Sequence, residues 1–347
     1  MNARGSGDEL TRHIQPGDIL LFRSYGAISA AIRRFDESDV DHAAIVLDPP
    51  ETMAEVTASG VRHASVRARV DESEFTYVCR LARDGDARPA IDAVRALERS
   101  DPFVVDERLL LLALLGMTSR LPVAEPSLRS LLAMLFQRAA GVVAMLAQEG
   151  HRVLLTSDLV YRAYRSSGDP ALSLEILLPS EKPSTAPRST GRVGSAEAVV
   201  LDLAYDSGVT VAGAVFPTPT PGVELSELAD RAERELTPLI EAFLRVDDSS
   251  APAPPLDEPR SVPAVTDDEL FGSAIRFRDQ VVGLAVAGDP PSPQAVEHAW
   301  GMFRAVASSV TPGDLRYSPS LRTVTSLRPH VRPARGWTPD AAREPAG

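Results

Sequence analysis

One histidine, His42, stands at the head of a short apolar run, Ala43-Ala44-Ile45-Val46-Leu47, which Asp48-Pro49-Pro50 closes. A run of this length suits a single strand, and the prolines stop it because they cannot donate to a strand ladder. An imidazole fixed at the start of a buried strand can serve as a general base. The plainer reading is a satisfied structural histidine, since His is intermediate in burial. A carboxylate, Glu55, rides on the next strand-like stretch, Thr52–Thr57. The one cysteine, Cys79, alternates with Tyr77 and Leu81 in a run rich in β-formers. Neither a helix N-terminus nor a paired histidine lies beside it to lower its pKa, so it reads as a packing residue. Further on, Thr156-Ser157-Asp158 precedes Leu159, Val160, Ala163 and Tyr164 at helical spacing. Thr156 or Ser157 can cap that helix, and Asp158 suits its positive end.

The elements that must position these groups can be read in order. Gln15-Pro16-Gly17-Asp18 is turn chemistry leading into a buried strand at Ile19–Phe22. A helix is expected over 25–35, from Ile28, Ala31, Ile32 and Phe35. The His42 strand follows, then strands over 52–57, 61–66 and 75–81. Amphipathic or apolar helices are expected over 89–98, 107–117 and 127–148, and the short helix at 156–164 follows them. From about 180 the chain becomes rich in Ser, Pro and Thr. Residues 196–216 could hold two strands, and helices are expected over 225–245, 267–286 and 293–309. The intervening stretch 247–265 is rich in proline and acid and should be mobile. A last strand falls at Leu321–Leu327.

Composition limits the function. The chain has 347 residues, enough for two or three domains or one large one. Its formal charge of −12 disfavours a nucleic-acid-binding surface. One cysteine excludes an internal disulfide framework and any cysteine-based metal site, and no cofactor is expected. The first residues carry no apolar secretory core, and Arg138 interrupts the most apolar helix. A cytoplasmic location without a transmembrane helix is the expectation. The apolar helices of 107–148 read as a hairpin packed on a core. The sharper alternative is a membrane-surface or dimer contact.

Three pieces then align: Pro16-Gly17-Asp18-Ile19-Leu20-Leu21-Phe22, Asp41-His42-Ala43-Ala44-Ile45-Val46 and Thr156-Ser157-Asp158-Leu159-Val160-Tyr161-Arg162-Ala163-Tyr164. In this order they resemble the circularly permuted papain-like amidases, the YiiX- and YaeF-like group of the NlpC superfamily. Thr311-Pro312-Gly313-Asp314-Leu315 with Ser318-Pro319-Ser320-Leu321 resembles that family's C-terminal edge. The resemblance covers roughly 14–168 and about 310–328. It implies an α+β, permuted papain-like fold: a small antiparallel sheet, partly barrel-like, packed on a central helix, with helical insertions. It divides the chain into a core at 14–180 that includes a helical insertion at 88–150, Pro-rich linkers and a helical insertion at 181–309, a return to the core at 310–330, and a flexible tail at 331–347.

By the same resemblance His42 takes the general-base position and Glu55 the orienting position. The nucleophile position falls on Thr156, where the family has cysteine, with Ser157 as the alternative hydroxyl. Asp158 stands where the family has Glu. A cysteine beside a protonated histidine at a helix start is largely thiolate, whereas an alcohol has no such ionised population. The expectation is therefore a hydrolase fold without its nucleophile, binding a peptide, acyl-amide or lipid-like ligand in the ancestral cleft. Two alternatives are an active Thr- or Ser-dependent amide or ester hydrolase, and a non-catalytic partner-binding module using 107–148.

Overall fold

The computed structural model describes residues 13–49, 51–57, 60–83, 85–100, 107–118, 126–149, 156–167, 169–177, 225–246, 265–285 and 310–328. In chain order the elements are β1 (Ile19–Ser24), α1 (Ala27–Phe35), β2 (His42–Asp48), β3 (Thr52–Thr57), β4 (Gly60–Ser65), α2 (Val66–Asp71), β5 (Ser73–Leu81) and α3 (Arg88–Ser100). They continue as α4 (Glu107–Thr118), α5 (Pro126–Glu149), α6 (Thr156–Ser166), a 3-10 turn (Pro170–Leu172), α7 (Leu225–Val246), α8 (Asp267–Ala285), α9 (Pro312–Arg316) and β6 (Leu321–Leu327). The expected strands in 196–216, the helix over 293–309, the tail and nearly all of 247–265 lie outside the described residues. The chain divides into two compact units. One comprises Met1–Phe103, Leu154–Ala186 and Val310–Gly347, and the other Val104–Val153 and Pro187–Ser309.

The first unit is built on six antiparallel strands in the order β4-β3-β2-β1-β5-β6. This is an open sheet with β4 and β6 at its edges, and not the partly barrel-like sheet that was expected. Alternation along the strands gives it two apolar faces. One carries Ile19, Leu21, Ala43, Ile45, Ala54 and Val56, and receives Leu159, Val160, Ala163 and Tyr164 of α6. The other carries Leu20, Phe22, Ala44, Val46 and Met53, and is covered by Val66 and Val70 of α2. α2 leaves little mark in the sequence, because its six residues present barely one apolar pair. Ser65 caps it, accepting from Ala68 N at 3.3 Å.

Two tight approaches lock this unit. Gly17 has φ 82°, and a Cβ there would lie 2.1 Å from the Ala87 Cβ, so only glycine fits the turn into β1. Its carbonyl accepts the Tyr164 hydroxyl, which ties that turn to α6. At the other end of the chain, Thr311 and Asp314 form a capping box on α9. Asp36 accepts from Thr311 Oγ1 and Gly313 N, both at 2.7 Å, so the C-terminal return is anchored behind α1.

The second unit is helical, with α4, α7 and α8 packed around α5. Phe136 and Phe277 stack at 5.8 Å, and Gln137 donates to Ser273 Oγ at 3.1 Å. Among the described residues one window, Leu128–Met145 of α5, is long and apolar enough to cross a membrane by length and composition. However, 67% of that window is buried inside the protein. Arg138 within it pairs with Glu235, and Arg129 pairs with Asp267.

Candidate functional site

His42 is the first residue of β2 and lies directly across from Phe22 of β1. Glu55 lies on β3, the neighbouring strand, where Met53 and Ala54 pair with Val46 and Ile45. Both side chains fall on the face that carries Phe22, Ala44 and Met53, because each alternates with a residue of the opposite face. There they meet: His42 Nε2 and Glu55 Oε2 are 2.8 Å apart. His42 is 7% exposed and Glu55 only 1%. The Phe22 ring lies 5.8 Å from the imidazole.

A buried carboxylate needs partners, and Glu55 has three. Arg62, directly opposite on β4, donates to Oε1 from Nε at 3.0 Å and Nη2 at 2.6 Å. Arg69 of α2 brings its Nε to 3.3 Å from Oε2 and lays its guanidinium over Phe22 at 5.3 Å. Burial alone would raise the Glu55 pKa. The hydrogen bond and charge of His42, the charge of Arg69 and the hydrogen bond from Arg62 outweigh it, and hold the carboxyl well below the usual range.

That ionisation decides the histidine's tautomer. An ionised carboxylate can only accept, so the Nε2 proton of His42 must point at Glu55. In the neutral ring the lone pair then sits on Nδ1. Arg62 and Arg69 were not foreseen. Neither has a mark in the sequence, since the register that sets Arg62 opposite Glu55 is a tertiary property.

The remaining candidates belong to α6, which packs on the opposite face of β2 and β3. Thr156 is its first residue, and its side chain lies outside the described residues. Ser157 is fully buried, and its hydroxyl donates to the Val310 carbonyl at 2.5 Å. This bond staples α6 to the C-terminal return. Asp158 is 1% exposed, and burial pushes its carboxyl up to about 7 against the opposing charge of Arg162. The Arg162 Nε lies 2.8 Å from Asp158 Oδ2 but is poorly aligned for a hydrogen bond, and Oδ1 has no partner among the described residues. Cys79 is buried between β1 and β6, and desolvation pushes its thiol up to about 11. It is inert by environment, as its position in the sequence implied. Among the described residues no group of three or more His, Cys, Asp or Glu side chains is arranged to hold a metal ion.

Comparison with known proteins gives one local similarity. The chain is 37% identical over 68 residues to YaeF of Escherichia coli (strain K12), a protein described as a probable lipoprotein peptidase. The match takes in 20% of this chain and spans 24% of that relative's length. No protein-family profile matches the chain, and no solved structure matches it. The similarity is to a peptidase-like protein, in a molecule whose sheet and helices make it α+β.

Proposed function

We propose that this protein is a catalytically impaired member of the permuted papain-like amidase family, which keeps the base and its orienting carboxylate but has lost the nucleophile. The observation that carries this reading is the buried 2.8 Å contact between His42 and Glu55, two positions matched to the family by sequence order alone. A histidine held by an ionised carboxylate is the acid–base half of a hydrolytic site. The local similarity to a probable lipoprotein peptidase points to the same chemistry.

Three features support impairment. The only cysteine is buried on β5 with its thiol pushed up to about 11. The Ser157 hydroxyl is committed to the Val310 carbonyl. The apolar face of α6 packs against the side of the sheet opposite to His42. What remains suits binding of a peptide, acyl-amide or lipid-like ligand near His42, with no covalent intermediate.

The test is labelling with a broad fluorophosphonate probe and an acyl-transfer probe, on the wild type and on His42→Ala and Thr156→Ala variants. The expected result is no labelling above the variants. Labelling of the wild type that is lost in both variants would overturn the impaired reading in favour of an active threonine hydrolase.

A further inference from the structure

A cleft of about 760 Å³ opens where β1 begins and β5 ends. From Phe22, the partner of His42, to Asp18 on its wall is four residues, or roughly 13 Å along a strand. The cleft therefore lies away from the histidine–glutamate pair. Its volume is within the range of small-molecule sites, and far larger than a bare ion needs.

Its charge is unusual for this chain. The protein carries a formal −12, yet four arginines line this cleft (Arg80, Arg83, Arg88 and Arg322) against two aspartates. Arg80 takes both oxygens of the buried Asp18, at 2.6 and 2.8 Å. Asp18 also accepts from Gln15 N at 2.7 Å, so its carboxylate is already engaged by the wall of the cleft. Arg88 pairs with Asp86. Arg83 and Arg322 form no ion pair among the described residues.

Arg322 of β6 stands directly across from Arg80 of β5. Opposed residues of an antiparallel pair project to one face, where like charges destabilise the pair. Elsewhere in this unit Arg23, Arg33, Arg62, Arg69 and Arg316 each sit against a carboxylate. In the cleft, two of the four lining arginines have no carboxylate against them among the described residues. Pro16, Leu81, Ala87 and Tyr164 also line the cleft and give it an apolar part for an organic moiety.

We infer that this cleft binds a small phosphate monoester, with Arg83 and Arg322 taking the phosphoryl oxygens and the apolar wall taking the organic part. Guanidinium forks match a tetrahedral oxyanion by paired N–H bonds, and a dianion answers two cations at once. The same headgroup chemistry is offered by a free metabolite and by a phosphomonoester lipid at a membrane surface.

The experiment is calorimetric titration of the full chain with glycerol 3-phosphate, alongside sedimentation with phosphatidylcholine vesicles with and without phosphatidic acid. The proteins are the wild type, the double variant Arg83→Gln/Arg322→Gln, and Arg95→Gln as a control on α3 outside the cleft. Saturable binding by the wild type and the control, weakened about tenfold or more in the double variant, supports the site. Glycerol 3-phosphate should also raise the wild-type melting temperature while glycerol does not, a readout that needs no variant. Binding to phosphatidic acid vesicles alone, lost in the double variant, supports the same chemistry with lipid as its source. Failure of the wild type to bind either phosphate, or equal binding by the double variant, overturns the inference.

Discussion

Replacing Glu55 by Gln removes a charge while keeping its shape, and tests the centre of the candidate site. The carboxylate is 1% exposed and is shared by His42 at 2.8 Å, Arg62 at 2.6 and 3.0 Å and Arg69 at 3.3 Å. A glutamine accepts at one oxygen only and turns an NH2 group toward a donor. Two arginines then face each other without their common counter-charge. Breaking a buried pair in this way costs about 3–5 kcal/mol. The Arg62 side chain is 43% exposed, so water recovers part of its charge. The lower end, about 3 kcal/mol, is therefore expected. For a folded unit of 150–250 residues that is a fall in Tm of about 6–12 °C at neutral pH. The pH dependence fixes the cause. Glu55 is held below its ordinary value of 4.5 in the folded state, so its stabilisation is full above that value. It is lost as pH falls toward the folded pKa. In calorimetric scans the gap between wild type and Glu55→Gln should narrow steadily as pH is lowered from about 5 toward 2. A loss below about 1 kcal/mol, or a gap that ignores pH, would refute the view that an ionised carboxylate organises this site.

Two further predictions concern the groups the site does not use. With its thiol pushed up to about 11, Cys79 is thiolate in only about one molecule in a thousand at pH 8. Native protein should react with iodoacetamide at least about 100-fold more slowly than the urea-unfolded chain, and comparable rates would contradict the burial of β5. Asp158 is shifted the other way, from 3.8 to about 7, so the folded state holds its proton more tightly and loses stability as pH rises across that interval. Asp158→Asn should leave stability at about pH 4 unchanged and raise it at pH 8 by on the order of 2–4 kcal/mol in urea unfolding. A variant destabilised at pH 8 would mean that the Arg162 ion pair outweighs the desolvation of the carboxylate.

Local chemistry carried much of this protein into its sequence. The strand at His42 was legible because an apolar run of its length has one period and a proline stop. The helix at Thr156 was legible because capping residues precede an apolar stripe. The helix α2 and the short α9 were not, since elements of five or six residues carry too little periodicity and are held by caps and by Asp36. The pairing of His42 with Glu55 could be named only through family order. Register across β2 and β3 is a tertiary property, and a shift of one residue would move either side chain to the other face. The same limit hid Arg62 and Arg69, which reach Glu55 from β4 and α2 and have no mark in the sequence that separates them from surface arginines. It also hid the cleft, to which Arg322 is brought beside Arg80 only because β6 pairs with β5. Composition and periodicity determined the elements and the absence of a reactive cysteine. Which face each side chain occupies, and therefore which charges meet, was decided by the register of strand pairing, which periodicity within one strand leaves open.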